Sequence, residues 1–165
     1  MESNIQSSPA HQKVTGHTSC KNMMNFRYRK FPVDQDNCPF PDKKSSLRPV
    51  IQIDFENPKG NFGYFVLIDS GADYCIFHAT IGEQLGLNIK NGTPLIFYGT
   101  SGEPQKAYFH KITFKIGGHD HTAKVGFSYE MEKLAYGILG HDGFFDQWII
   151  KFEYQKENIE LKRIV

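Results

Sequence analysis

Short runs of alternating apolar and polar residues, separated by turn-forming residues, recur along this chain and limit what it can fold into. The run 50–55 alternates in this way, and a turn rich in Asn, Pro and Gly over 57–61 joins it to the apolar run 64–68. Alternation with a period of two is typical of β-strands, and a short turn between two such runs predicts a hairpin. Because nearly every predicted element is a short strand, we expect an all-β fold: a closed or nearly closed barrel with one or two short helices.

The rest of the chain continues this pattern. We expect a loop over 32–48, a short helix over 76–85 that is followed by Gly86, and at most a two-turn helix over 142–147. The segment 99–104 contains Gly, Thr, Ser and Pro between two predicted strands, so it predicts a hairpin with a flexible, exposed tip. Further strands are predicted over 25–31, 94–98, 107–116, 121–127, 148–154 and 159–161.

Length and composition limit the number of domains. A chain of 165 residues with 39% hydrophobic and 14% aromatic content can bury one core and is too short for two ordinary domains. Residues 1–24 are mostly Ser, Gln, His, Lys and Thr, which cannot bury enough apolar surface to offset the entropy of ordering. We therefore expect a flexible N-terminal tail over 1–24 and a single domain over 25–165.

Charge and hydropathy exclude several classes of partner. The formal net charge of +1 and the lack of a sustained basic stripe give no reason to expect nucleic acid as a partner. No apolar run approaches the roughly 20 residues of a membrane helix, and the first residues lack the basic and apolar regions of a secretory signal. We therefore expect a cytoplasmic protein with no membrane partner. Cys20, Cys38 and Cys75 are odd in number and widely spaced, which favours reduced thiols.

Two segments carry the chemistry of this sequence. Asp69-Ser70-Gly71-Ala72 follows the apolar run 64–68 and so places one carboxylate where a buried strand turns into a glycine loop. On its own, such a tetrapeptide is more often a tight turn than a catalytic centre. Its interpretation is strengthened by a second segment downstream, Gly-Ile-Leu-Gly-His-Asp-Gly-Phe-Phe over 137–145.

Together these two segments resemble the retropepsin-like aspartic peptidases, in particular their bacterial members, and the resemblance covers roughly 50–161. It implies the closed acid-protease barrel of that family, with Asp69 as the catalytic acid. Asp-Ser-Gly occurs once in the chain, so the resemblance implies a homodimer in which the two Asp69 carboxylates share one proton and activate water. The implied activity is hydrolysis of peptide bonds in a polypeptide substrate, with no cofactor.

The resemblance also implies roles for the neighbours of Asp69. Ser70 would bond across the two-fold axis, Gly71 would let the backbone approach closely, and Ala72 stands where pepsin-like enzymes usually carry a hydroxyl. Asp73 would help to bind the main chain of the substrate and would pair with the residue after the downstream glycine. That residue is an arginine in the family and is His141 here, so the pairing depends on a group that can lose its charge near neutral pH.

Two further groups of residues are assigned by the same resemblance. Ile138 and Gly140 would form the strand that packs beneath the catalytic loop, where a side chain at the glycine position would be in the way. A flap over the bound peptide would exclude water and offer backbone hydrogen bonds to an extended substrate. The residues assigned to the flap are Tyr98, Gly99, Thr100, Ser101 and Gly102.

Two other interpretations of these residues are possible. The pairs of histidine and aspartate in 119–121 and 141–142 suggest a metal site, but zinc sites usually need three or four converging ligands, so no metal is expected. His78 is interpreted as a helix-start residue. A protein that keeps this barrel as a catalytically weak peptide-binding or regulatory module remains the alternative to the peptidase.

Overall fold

The computed structural model describes residues 23–99 and 102–164. Within this part of the chain the structure has one α-helix, α1 (Ala79–Gln84), and 3-10 turns at Gln35–Asn37, Ile89–Asn91, Tyr129–Lys133 and Tyr154–Lys156. The strands are β1 (Met23–Arg27), β2 (Arg29–Pro32), β3 (Ser45–Arg48), β4 (Val50–Phe55), β5 (Phe62–Ile68), β6 (Ile76–His78), β7 (Thr93–Tyr98), β8 (Pro104–Ile116), β9 (His119–Ser128), β10 (Gly137–Leu139), β11 (Trp148–Glu153) and β12 (Asn158–Arg163). None of the helices in the described ranges is long and apolar enough to cross a membrane.

Six strands form a closed barrel. They follow one another in the order β4, β5, β10, β6, β9 and β8, and the pairing of β8 with β4 closes the ring. Strand β7 pairs with β8 and extends from the barrel as one arm of a long hairpin. The expected all-β closed barrel with a short helix is therefore confirmed.

The local sequence explains the hairpins. Strands β4 and β5 pair from Val50 opposite Leu67 to Phe55 opposite Phe62, as the alternation on either side of the turn predicts. The turn between β8 and β9 consists of Gly117 and Gly118, which have φ of 55° and 84°. Both lie in the left-handed region, where glycine is favoured, and a two-residue hairpin of this kind matches the twist of the flanking strands.

Aromatic side chains fill the barrel. Burying a side chain of this size stabilises the fold by roughly 1.5–3 kcal/mol, so the aromatic content of the sequence accounts for much of the core. His121 and Ser128 are the buried polar side chains of the described region. The largest buried apolar side chains are Phe55, Phe77, Phe114, Phe127 and Phe144.

Two smaller sheets lie outside the barrel, and they correct the expected start of the ordered chain. Strand β12 lies between β1 and β11 in the first sheet, and β2 pairs with β3 in the second. Met23 and Met24, assigned to the flexible tail, lie instead in β1, because Met24 pairs with Leu161 and packs on the core. The loop expected over 32–48 contains β3 for a similar reason: its residues complete a hairpin with β2.

Two helix predictions also differ from the structure. The segment 76–85 begins as strand β6, since Ile76 pairs with both Ile138 and Gly126, and turns helical only at Ala79. The segment 142–147 forms successive turns rather than a helix, and Asp142 makes a β-bridge to Tyr74. In both places pairing with distant segments of the chain overrides the local preference for helix. The tail residues 1–22 lie outside the described residues.

Candidate active site

Asp69 stands directly after β5, where the chain leaves the barrel. Its backbone N–H donates to the carbonyl of Leu139 in β10 at 3.0 Å, and its own carbonyl accepts from the N–H of Ala72 at 3.2 Å. The second bond closes a tight turn over 69–72. Because both bonds hold the backbone, the position of the Asp69 side chain is set by the barrel rather than by a free loop.

The carboxylate of Asp69 is supported on one side and open on the other. Its Oδ1 accepts a hydrogen bond from the backbone N–H of Gly71 at 2.9 Å, and no described residue donates to Oδ2. Asp69 is half-buried, whereas Ser70 and Gly71 are exposed. The loop therefore presents an oriented carboxylate with one oxygen available to a water molecule or to another acid.

Strand β10 supports this loop from the inside of the fold. Ile138 pairs with Leu67 of β5 and with Ile76 of β6, so the three-residue strand is inserted between the two. The backbone after β10 also holds the loop, since the N–H of His141 donates to the carbonyl of Ala72 at 2.9 Å.

Gly140 makes the closest approach to the loop. A Cβ at this position would lie 2.4 Å from the carbonyl oxygen of Tyr74 and 2.6 Å from that of Ala72. Only glycine fits between these two backbone oxygens. The structure therefore brings Asp69, Ala72, Ile138 and Gly140 together.

The side chains of Asp73 and His141 are both exposed, and no hydrogen bond or ion pair joins them in the part of the chain that the structure describes. Their segments are connected through the main chain, since the N–H of Asp142 donates to the carbonyl of Asp73 at 2.8 Å. The ring of His141 instead packs edge-on against Phe145, with ring centroids 5.5 Å apart. The side-chain pairing of Asp73 with His141 stays a prediction.

The hairpin of β7 and β8 contacts the segment that follows the loop, since the ring centroids of Phe109 and Tyr74 are 5.5 Å apart. The N–H of Gly102 donates to the carbonyl of Gly99 at 3.0 Å, which closes the turn at its tip, whereas Thr100 and Ser101 lie outside the described residues. Tyr98 is 70% exposed. It belongs to the opposite face of β7 from Phe97, since neighbouring residues of a strand alternate sides.

Phe97, on the other face of β7, is partly buried, and the residues predicted for the flap did not include it. It packs on a small apolar cluster that connects the hairpin to Tyr74, which follows the Asp69 loop, and to Ile138 of β10. The alternation of β7 could not have found it, because Leu95 to Tyr98 are apolar or aromatic on both faces. The other members of the cluster are Ile76, Ala107, Met131, Tyr74, Phe109 and Ile138.

Two of the histidines considered as metal ligands, His121 and His78, have other partners. The ring of His121 is buried, and it donates from Nε2 to the carbonyl of Gly143 at 2.7 Å and accepts at Nδ1 from Trp148 Nε1 at 3.1 Å. His78 begins α1, where its Nδ1 accepts from the N–H of Thr80 at 3.1 Å, as the helix-start interpretation predicted. Across 23–99 and 102–164, no three His, Cys, Asp or Glu side chains are arranged to hold a metal ion.

No protein-family model matches this chain, and no curated protein sequence matches it. Among solved structures, it is similar to one described as the crystal structure of a retropepsin-like aspartic protease from Rickettsia conorii. The two are 14% identical, with a TM-score of 0.48, and the match covers 86% of this chain and 93% of the other. A likeness at this level identifies neither an activity nor a substrate.

Proposed function

We propose that this protein is an aspartic endopeptidase that is active as a homodimer, with one Asp69 carboxylate supplied by each copy. The observation that carries the proposal is the state of the Asp69 side chain: one oxygen is held by the N–H of Gly71, and the other has no donor among the described residues. A chain with a single such carboxylate needs a second copy to form a pair of acids. The resemblance of 69–72 and 137–145 to the retropepsin-like peptidases supports the same conclusion.

The chemistry of such a pair follows from charge repulsion. Two carboxylates close enough to share a proton are not both ionised, so one acts as a base and the other as an acid. The ionised carboxylate takes a proton from a water molecule as the water oxygen bonds to the carbon of the peptide carbonyl. The protonated carboxylate donates to the carbonyl oxygen, and the C–N bond breaks once a proton has reached the leaving nitrogen. Gly71 would keep each carboxylate oriented through these steps.

The fold supports this role by its rigidity near the loop. Gly140 and the backbone bond from His141 to Ala72 hold the loop against β10. The hairpin beside it would cover an extended polypeptide, with Phe97 on the inner face and the predicted flap residues at the tip. Apolar side chains of a substrate would pack against this face.

Asp69→Asn tests the proposal, because asparagine preserves shape and removes the acid. Cleavage of a peptide library should be lost, while the control Asp42→Asn, in an exposed loop, should cleave like the wild type. Equal cleavage by Asp69→Asn would contradict the proposal. Peptide binding without cleavage by the wild type would favour the regulatory or peptide-binding module.

A mixing experiment tests the homodimer separately. Equal amounts of wild-type and Asp69→Asn protein are unfolded and refolded together. If both carboxylates of a dimer are required, the mixture should have about a quarter of the activity of the same total amount of wild-type protein. Retention of about half would mean that each chain works alone and would overturn the dimer.

A further inference from the structure

His121 connects three parts of the molecule that are distant in sequence. It belongs to β9 of the barrel, it bonds the carbonyl of Gly143 in the turn that follows Gly140, and it bonds Trp148 at the start of β11. Its ring lies among aromatic rings, with centroids 5.0 Å from Phe114, 6.1 Å from that of Phe144 and 5.9 Å from that of Trp148. A polar group at this depth is costly unless both of its nitrogens are bonded, as they are here.

The two partners of the ring fix its protonation state. A carbonyl oxygen can only accept, so Nε2 carries a proton toward Gly143. An indole N–H can only donate, so Nδ1 must be unprotonated toward Trp148. The ring is therefore neutral in the folded protein. A second proton on Nδ1 would place two donors 3.1 Å apart in a buried site, and the bond from Trp148 would be lost.

The bond to Gly143 continues into the candidate active site. Gly143 lies one residue from Asp142, whose N–H donates to the carbonyl of Asp73, and two residues from His141, whose N–H donates to the carbonyl of Ala72. Main-chain hydrogen bonds thus run from the buried ring to the loop that carries Asp69. If the bond from His121 to Gly143 broke, the 140–147 turn would no longer be held against this loop.

We propose that His121 is a positioning residue, whose neutral ring clamps the 140–147 turn against the Asp69 loop, and that acid opens this clamp and disables the site. The catalytic half of this inference rests on the proposed function, whereas the clamp does not. The group that would make activity sensitive to acid is thus buried and lies outside the Asp69 loop.

The charged groups around the ring agree with this direction. Burial lowers the pKa of His121 below its ordinary value of 6.5; the bond to Gly143 opposes the shift, Arg163 adds to it and Asp146 opposes it. The guanidinium of Arg163 stands over the Trp148 ring at 5.8 Å, and the Asp146 carboxylate accepts from the N–H of Gly143 at 3.2 Å. Lys115 of β8 forms an ion pair with Asp120 of β9. Burial raises the pKa of the Cys75 thiol to about 12, so this thiol stays neutral.

The sign of the effect follows from this lowered pKa. Well above the ordinary histidine pKa of about 6.5 the ring is neutral whether the clamp is open or closed, and the clamp has its full strength. As the pH falls below that value, the open form takes up a proton more readily than the closed form, so the clamp weakens.

Trp148 reports on the clamp directly, because it is the single tryptophan of the chain. Protonated imidazole quenches indole emission, so the fluorescence of the folded protein should fall with a midpoint below pH 6.5. The backbone amide signals of His141 and Asp142, followed by NMR, should shift with the same midpoint. The activity on peptides should decline on the acid side with it, while far-UV circular dichroism shows that the barrel stays folded.

The variant His121→Gln separates the clamp from other titrating groups. Glutamine can donate to the carbonyl of Gly143 and does not titrate, so the fluorescence and amide midpoints should disappear and activity should persist at lower pH than in the wild type. His119→Gln, the same change two residues earlier at an exposed position of β9, should leave all three midpoints unchanged.

Trp148→Phe serves if His121→Gln does not fold. It removes the donor that faces Nδ1, so the midpoint of the His141 and Asp142 amide signals should rise. Wild-type midpoints that persist in His121→Gln, or that stay in place in Trp148→Phe, would overturn the inference. The inference would also be overturned if the wild-type amide signals and the Trp148 emission changed with different pH midpoints. Amide midpoints that respond as expected in a protein that cleaves no peptide at any pH would refute the proposed function and leave the clamp intact.

Discussion

Gly140→Ala is the substitution whose consequence the geometry defines most closely. The added Cβ would lie 2.4 Å from the carbonyl oxygen of Tyr74, about 1 Å short of the 3.4 Å at which ordinary contact begins. The atoms that it meets belong to the backbone, so no side-chain rotation relieves the clash. The two segments are also held together directly after Gly140 by the bonds from His141 to Ala72 and from Asp142 to Asp73.

Three effects set the magnitude. Overfilling a packed site typically costs about 1–3 kcal/mol, and losing one of the two backbone bonds costs about 0.5–1.5 kcal/mol more. The reduced freedom of the unfolded chain returns about 0.4–1 kcal/mol. We expect Gly140→Ala to lower the free energy of unfolding by about 2–3 kcal/mol and to abolish peptide cleavage, because the loop that carries Asp69 must move.

Urea unfolding measures this change, and Gly63→Ala is the matched control. Gly63 lies in β5, the strand that leads to Asp69, but its Cβ would meet the flexible end of Gln52, which can turn away into solvent. The control should match the wild type or exceed it by up to about 1 kcal/mol, whereas the urea midpoint of Gly140→Ala should fall by about 1 M. Equal midpoints for the two variants would refute the close packing of Gly140 on the loop.

Three further predictions concern the framework of the barrel. His78→Ala should lower the free energy of unfolding by about 1 kcal/mol through loss of the cap on α1, and His78→Asn should restore most of it, as measured by urea unfolding. Burial raises the pKa of the Tyr64 hydroxyl to about 12, so stability should fall as the pH rises above 10, and this fall should be smaller in Tyr64→Phe; an equal fall in both proteins would count against it. Cys75 is buried, and its pKa is raised to about 12, so iodoacetamide should modify it only as fast as the protein opens, in a variant whose other cysteines are serines; rapid modification of the folded protein would contradict the structure.

The strand framework was accessible from the sequence because it depends on local patterns. The run 50–55 and the run ending at Asp69 form the hairpin that their alternation predicts. The turn at Gly117 and Gly118 is likewise a property of two adjacent residues. Alternation expresses a fixed period of the backbone, so it survives in any fold that buries one face of the strand.

The missed elements share a different cause. Met24 belongs to β1 because Leu161 pairs with it, more than a hundred residues later in the chain, and residues 142–147 fail to form a helix because Asp142 bridges to Tyr74. In each case the local sequence is compatible with more than one conformation. The distant partner decides between them.

The features of the candidate site also fall into two groups, those set by contiguous residues and those set by distant segments. The sequence alone determined that one carboxylate, Asp69, ends a buried strand in a glycine loop, and that Gly140 follows an apolar strand downstream, since both are properties of contiguous residues. Only the tertiary fold places β10 between β5 and β6, packs Phe97 on the core while Tyr98 stays exposed, and joins His121 to both Gly143 and Trp148. These features depend on which distant segments bury one another most completely, a sum over the whole core that no single stretch of sequence contains.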